Sequence, residues 1–259
     1  MSGRRSGPRA RVRPDRPARV IPLGELKGDV LAGAAAYAAA GLGAAGVASL
    51  AAMYAVEVPR GGPFVFGAIN DFVGGMFYVA ALPAIIQIHR RLDGGPWSRA
   101  GLAAVAAASG AAGASGVLLS LQVVPIAPST AVSIGGIVAQ AGWAAVVNHH
   151  LLHRTGYPRR LALSGRAIGV GMLAALPLAT AGYALPGAPA LQRILYACAG
   201  TIGIAAYIGW PIWLFATGRR LRTPLRIMNE PGMGRVNSSG RSRRPSFATR
   251  RTSQRGDSC

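Results

Sequence analysis

The chain has 259 residues, 51% hydrophobic and only 14% charged, yet Lys and Arg number 28 against 8 Asp and Glu, a net charge of +20. A soluble domain carries about 25% charged residues, and a disordered chain is poor in apolar ones, so both descriptions are excluded. A very apolar block with very basic ends, as in an integral membrane protein, satisfies all of these values.

Residues 1–29 hold seven arginines and Lys27. Rich in Arg, Pro and Gly and without apolar period, they read as a basic disordered cytoplasmic segment. Six apolar runs follow, at about residues 30–56, 72–89, 100–124, 131–152, 167–185 and 194–217. Each approaches or exceeds the ~20 residues that cross a ~30 Å hydrocarbon layer. Breakers or charges separate them: Pro59 to Pro63, Asp93-Gly94-Gly95-Pro96, Pro125 to Pro128, Gly156-Tyr157-Pro158, and Pro186 to Pro189. Backbone groups in lipid must be satisfied within their own segment, so the runs are predicted to be helices. The first is too long for the ~7–15-residue apolar core of a secretory signal. Residues 218–259, with eleven arginines, read as a second basic disordered cytoplasmic tail.

With the N-terminus in the cytoplasm, 26 of the 28 basic residues lie on the cytoplasmic side, and Arg60 and Arg193 alone lie outside. That asymmetry follows the positive-inside rule. The expected fold class is therefore all-α: a polytopic transmembrane bundle of six helices over residues 30–217, with N-in and C-in topology. The arginine-rich tails are expected to bind anionic lipid of the bilayer, at about 1 kcal/mol per Arg near the surface. Nucleic acid is disfavoured as a partner, because the tails interleave no aromatic residues and carry no binding fold.

Runs one and three are poor in large side chains, as in Ala103-Ala104-Val105-Ala106-Ala107-Ala108-Ser109-Gly110 with Gly113 and Gly116 beyond. Small residues three or four apart let helix backbones approach closely in lipid, so these two helices are expected to be central. Phe77, Tyr78, Ile85, Ile86, Trp210, Trp213 and Phe215 are expected at the lipid or interface. Pro83, Pro177 and Pro211 lie inside runs and are expected to kink them. Runs two and six end alike, as YVAALPAIIQIHRRL and YIGWPIWLFATGRRL, a likeness read as two cytoplasmic exits obeying one rule.

Ionisable residues within a membrane are costly and mark candidate sites. Asp71 is read as the N-cap of a helix beginning at Phe72. The alternative, a helix from near Phe64, would set it two turns deep as an outward-facing cation or proton site with Asn70 and Glu57. Gln140 is the deepest amide, and it joins Asp71 and Glu57 along a candidate transport path. Other mid-run polar groups, such as Gln122 and Asn148, are expected to bond between helices. His149 and His153 are i, i+4 on one helix face, a spacing that suits a transition metal, with His89 as a third ligand should the helix ends meet. Cys198 reads as a small buried hydrophobe and Cys259 as a free thiol in the tail. There is no phosphate-binding glycine loop, no Gly-x-Ser-x-Gly, no His-Glu-x-x-His and no acid pair, so no cofactor and no enzymatic activity are expected.

Tyr157-Pro158-Arg159-Arg160 leads into a glycine-rich helix, and the chain leaves the last run as Trp210-Pro211-Ile212-Trp213 followed by Gly218-Arg219-Arg220-Leu221. This pattern resembles small multi-pass membrane families of bacteria that have no established activity. The resemblance covers residues 157–221, implies the bacterial cytoplasmic (inner) membrane, and implies no catalytic residues. The expected function is that of a non-enzymatic scaffold, sensor or partner subunit engaging a protein partner or a second copy. A small transporter or channel component comes next, then a metal- or haem-binding membrane protein.

Overall fold

The computed structural model describes residues 21–223 with the exception of Pro22, Asp93 and Pro186. Residues 1–20 and 224–259, which make up most of both arginine-rich tails, and Cys259 with them, lie outside the described residues. Six helices make up the described chain, without strands: α1 (Asp29–Ala52), α2 (Val65–His89), α3 (Pro96–Ser120), α4 (Ile126–Leu152), α5 (Arg159–Tyr183) and α6 (Pro189–Arg222). A π-helical turn, Met53–Glu57, and a 3-10 turn, Val58–Arg60, extend α1. All six are long and apolar enough to cross a membrane. A 25-residue helix such as α2 spans about 37 Å, enough for the hydrocarbon layer with some tilt.

Most helices start earlier than their apolar runs. Pro96 and Pro189 occupy first-turn positions in α3 and α6, where the missing N–H costs nothing, and Pro125 and Pro158 immediately precede α4 and α5. Prolines that punctuate the sequence thus open helices, and polar first turns such as Arg159-Arg160 are helical although hydropathy excludes them. At the other end α6 continues past Thr217 to Arg222. Gln122 is no mid-helix residue: it makes the turn after α3 with φ +60°.

The helices form a ring in chain order, each antiparallel to the next, and α6 closes against α1. Small residues set the spacing. A Cβ added to Gly33 or Gly43 of α1 would strike Gly218 or Pro211 of α6 at 2.9 and 2.6 Å. Gly75 and Gly113 bring α2 and α3 into backbone contact, and a Cβ on Gly169 of α5 would lie 2.5 Å from the Ala141 carbonyl of α4. The close approach expected of runs one and three is therefore present, but neither helix is central. All six take equivalent places, because small residues occur on every neighbouring pair.

Five of the seven large residues expected at the lipid or interface point inward instead. Ile85, Trp210 and Trp213 are buried in the core, and Phe77 and Tyr78 line the ring interior, whereas Phe215 is 55% exposed. A wall of alanine and glycine leaves the middle of the ring unfilled, so bulky side chains turn inward to fill it. Cys198 goes the other way and is exposed on α6.

Residues 21–28 do not belong with a solvated tail. Ile21 and residues 23–28 fold over the end of the ring at which α1 begins and α6 ends, the termini-bearing end of the described chain, and a Cβ on Gly24 would touch the Thr223 carbonyl at 2.6 Å. Leu23 enters the core. Asp29 and Arg91 form a fully buried ion pair at 2.6 Å. The Asp29 carboxylate also accepts the Gly24 and Leu26 N–H groups at 2.8 and 2.9 Å, and Arg91 donates to the Ile21 carbonyl at 3.2 Å. Tyr157, in the α4–α5 loop, is buried beside Arg91. Burial raises its hydroxyl pKa above the ordinary tyrosine range, against the opposing pull of the Arg91 charge.

Candidate functional site: a cavity inside the helix ring

The ring surrounds a partly open cavity of about 420 Å³ to which all six helices contribute. It occupies the half of the ring remote from the termini, from Asn70, Leu119 and Ser129 near the far loops down to Gln140, Trp210 and Pro211. Most of the wall is apolar. Asp71 is the one ionisable acid or base among the described lining residues, tyrosines aside.

Asp71 reaches the cavity because α2 begins at Val65, behind the flanking residue Phe64. It therefore stands two turns inside the helix and caps nothing, which corrects the preferred sequence reading. The cap is Glu57. Its carboxylate, buried at the end of the α1 extension, accepts the Phe66 N–H at 3.0 and 3.1 Å and the Gly67 N–H at 3.4 Å. A carboxylate on the free N–H groups of a first turn is favoured by hydrogen bonding and by the helix dipole. Glu57 is thus occupied structurally and is not among the residues that line the cavity, whereas Asp71 and Gln140 are.

Asp71 is partly exposed, and Asn70 lines the cavity beside it. The Tyr207 hydroxyl lies in the same corner: a Cβ on Gly46 would sit 3.4 Å from it and 3.5 Å from Asn70 Oδ1. Asn70 Oδ1 is buried and has no hydrogen-bond partner. Among the described residues, Asp29–Arg91 is the one ion pair of Asp or Glu with a basic group. Neither Arg60 nor Arg193 neutralises Asp71, and Arg193 turns back to the Pro189 carbonyl instead.

Tyr78 stands opposite, with its hydroxyl donating to the Ser133 carbonyl at 3.1 Å. Tyr78 and Tyr207 are the matched tyrosines of the two similar helix ends, each twelve residues before an Arg-Arg-Leu. The likeness read as a shared exit signal also places two aromatic side chains at one cavity. Gln140 lies at the floor and is almost fully buried, its amide donating to Ser109 Oγ at 2.9 Å. From the floor downward Trp210, Trp213 and Trp143 pack in succession, with ring centroids 5.6 and 6.4 Å apart. This aromatic plug separates the cavity from the termini-bearing end.

The structure does not bring the three histidines together. His89 is buried with both ring nitrogens engaged: Nδ1 accepts from Trp143 Nε1 at 3.4 Å, and Nε2 faces Ser98 Oγ at 2.8 Å. His149 and His153 do share a face, with ring centroids 5.1 Å apart, but both are exposed. Among the described residues no group of three or more His, Cys, Asp or Glu could hold a metal ion. The expected third ligand fails because His89 points into the ring while the pair points out of it.

The fold and cavity define a class: an all-helical protein with six helices able to span a membrane, arranged around an internal site. Comparison with protein-family models, curated proteins and solved structures finds no match to this chain.

Proposed function

We propose that this chain is a solute-binding protein of transporter type in the bacterial cytoplasmic membrane, with both termini inside and Asp71 as the charged contact of its site. One observation carries the reading: a 420 Å³ cavity lined by all six helices contains a carboxylate with no basic partner among the described residues. Small-molecule sites have this character, about 300–1,000 Å³, mostly apolar, with few polar groups. An intramembrane acid facing such a space is a functional hypothesis by default. A scaffold needs no interior space. The charge asymmetry and the resemblance to bacterial multi-pass families support the placement and the topology.

The test is current across solid-supported proteoliposomes on exchange of pooled anionic, neutral and cationic solutes, with internal pyranine to register electroneutral proton exchange. At least one pool should give a signal that Asp71→Asn abolishes. Silence for every pool, or signals indifferent to that substitution, would refute the reading. Orientation is checked separately in a Cys198→Ser chain. Cys259 should react with an impermeant maleimide only after the membrane is opened, and labelling of intact cells would reverse the topology.

A further inference from the structure

The cavity wall specifies more than a solute of some kind. Phe77 and Tyr78 from α2 and Tyr207 and Trp210 from α6 line it together with Asp71. No Lys, Arg or His is among the described lining residues, so one carboxylate and four aromatic residues share a mostly apolar wall with no cationic side chain. Aromatic faces attract cations through their quadrupole. A hard metal ion is a poor occupant. It requires six or more oxygen ligands, whereas this wall offers one carboxylate, a few amide and hydroxyl oxygens, and otherwise hydrocarbon. A transition metal would want imidazole or thiolate, and neither lines the space. An anion would meet Asp71 with no compensating donor charge.

Building on the solute-binding reading above, we propose that the cavity takes an organic monocation with an apolar body, such as a tertiary or quaternary ammonium. The charged head lies between the Asp71 carboxylate and the Tyr207 ring, and the body lies over Phe77, Tyr78 and the Trp210 floor. One carboxylate matches one positive charge. The volume suits an aryl-alkyl ammonium and leaves most of the wall in apolar contact. The aromatic plug below stops the ligand short of the termini-bearing end.

The test uses the full chain, purified in detergent, with tritiated benzyltrimethylammonium as probe. Its neutral carbon isostere, neopentylbenzene, and Na⁺ serve as competitors. Saturable binding is expected, displaced by unlabelled cation and resisted by the isostere and by Na⁺ at equal concentration. Asp71→Asn, which preserves shape, should weaken it about thirtyfold or more. Tyr207→Leu should weaken it about fivefold, while Tyr207→Phe, which keeps the ring face, should change it little. Unaltered thermal unfolding of each variant shows that these losses are not misfolding. Equal competition by the isostere or Na⁺, or full binding by Asp71→Asn, would overturn the proposal. So would absence of binding in a chain whose proteoliposome currents still depend on Asp71, and in that case the solute reading would survive. Asp71-dependent binding without any current would uphold the ligand class and remove transport.

Discussion

The buried Asp29–Arg91 pair offers the sharpest energetic prediction. Arg91 has no exposed side-chain surface and Asp29 is 1% exposed. Removing one partner of such a pair costs about 3–5 kcal/mol, because the other charge stays buried and uncompensated. In Arg91→Met the Asp29 carboxylate keeps the Gly24 and Leu26 N–H groups, so the loss should fall near the lower bound, about 3 kcal/mol. In Asp29→Asn the guanidinium keeps the Ile21 and Gln87 carbonyls, and a similar loss is expected. The double variant Asp29→Asn/Arg91→Met buries no net charge. It should recover at least about 2 kcal/mol of the summed single losses, a coupling typical of residues in one network. Reversible unfolding in mixed SDS micelles, followed by tryptophan fluorescence, gives all three values. Additive losses, or single losses below about 1 kcal/mol, would show that residues 21–28 are not clasped to the ring by this pair.

Glu57→Ala should destabilise the fold by about 1–2 kcal/mol through loss of the α2 cap, with Glu57→Gln intermediate, in the same unfolding assay. Tyr157 stays protonated in the folded protein above the pH, about 10, at which the unfolded chain ionises it. Its contribution is thus complete below pH ~10 and is lost as pH rises toward the folded-state value, so the wild type should lose stability across pH 10–11 more steeply than Tyr157→Phe. Near neutral pH that variant should unfold within about 1 kcal/mol of wild type, since the hydroxyl it removes is buried without a partner. Gly169→Ala would push a methyl into the Ala141 carbonyl and should cost about 1–3 kcal/mol, whereas Gly110→Ala meets nothing within 4 Å and should be neutral. Equal effects at the two glycines would contradict the ring packing.

The six helices were legible because length and hydropathy are properties of single segments. Their starts were not: hydropathy is blind to Pro96, Pro158 or Pro189 opening a helix. For α2, residues 72–89 already reach about 27 Å, so length alone let the helix begin after Asp71 and gave Asp71 the cap. Glu57 shows the same limit. Its partners lie nine and ten residues ahead, across a turn whose geometry no periodicity encodes. The alanine-glycine bias correctly indicated close helix contact, but a bundle filled at its centre and a ring around a space satisfy the same pattern. The cavity therefore had no signature of its own except the paired Tyr78 and Tyr207. The Asp29–Arg91 pair joins residues 62 apart, and within the basic N-terminal segment Asp29 carried no distinguishing mark.

Everything functional rests on the ring interior being a space that water and solutes can reach from the side away from the termini. In a Cys198→Ser/Cys259→Ser chain, Ser133→Cys on the cavity wall should react with a small impermeant methanethiosulfonate cation added outside intact cells. Ala144→Cys, fully buried below the floor, should not react. A Ser133→Cys chain that is inserted in the membrane but unreactive from either side would contradict the account.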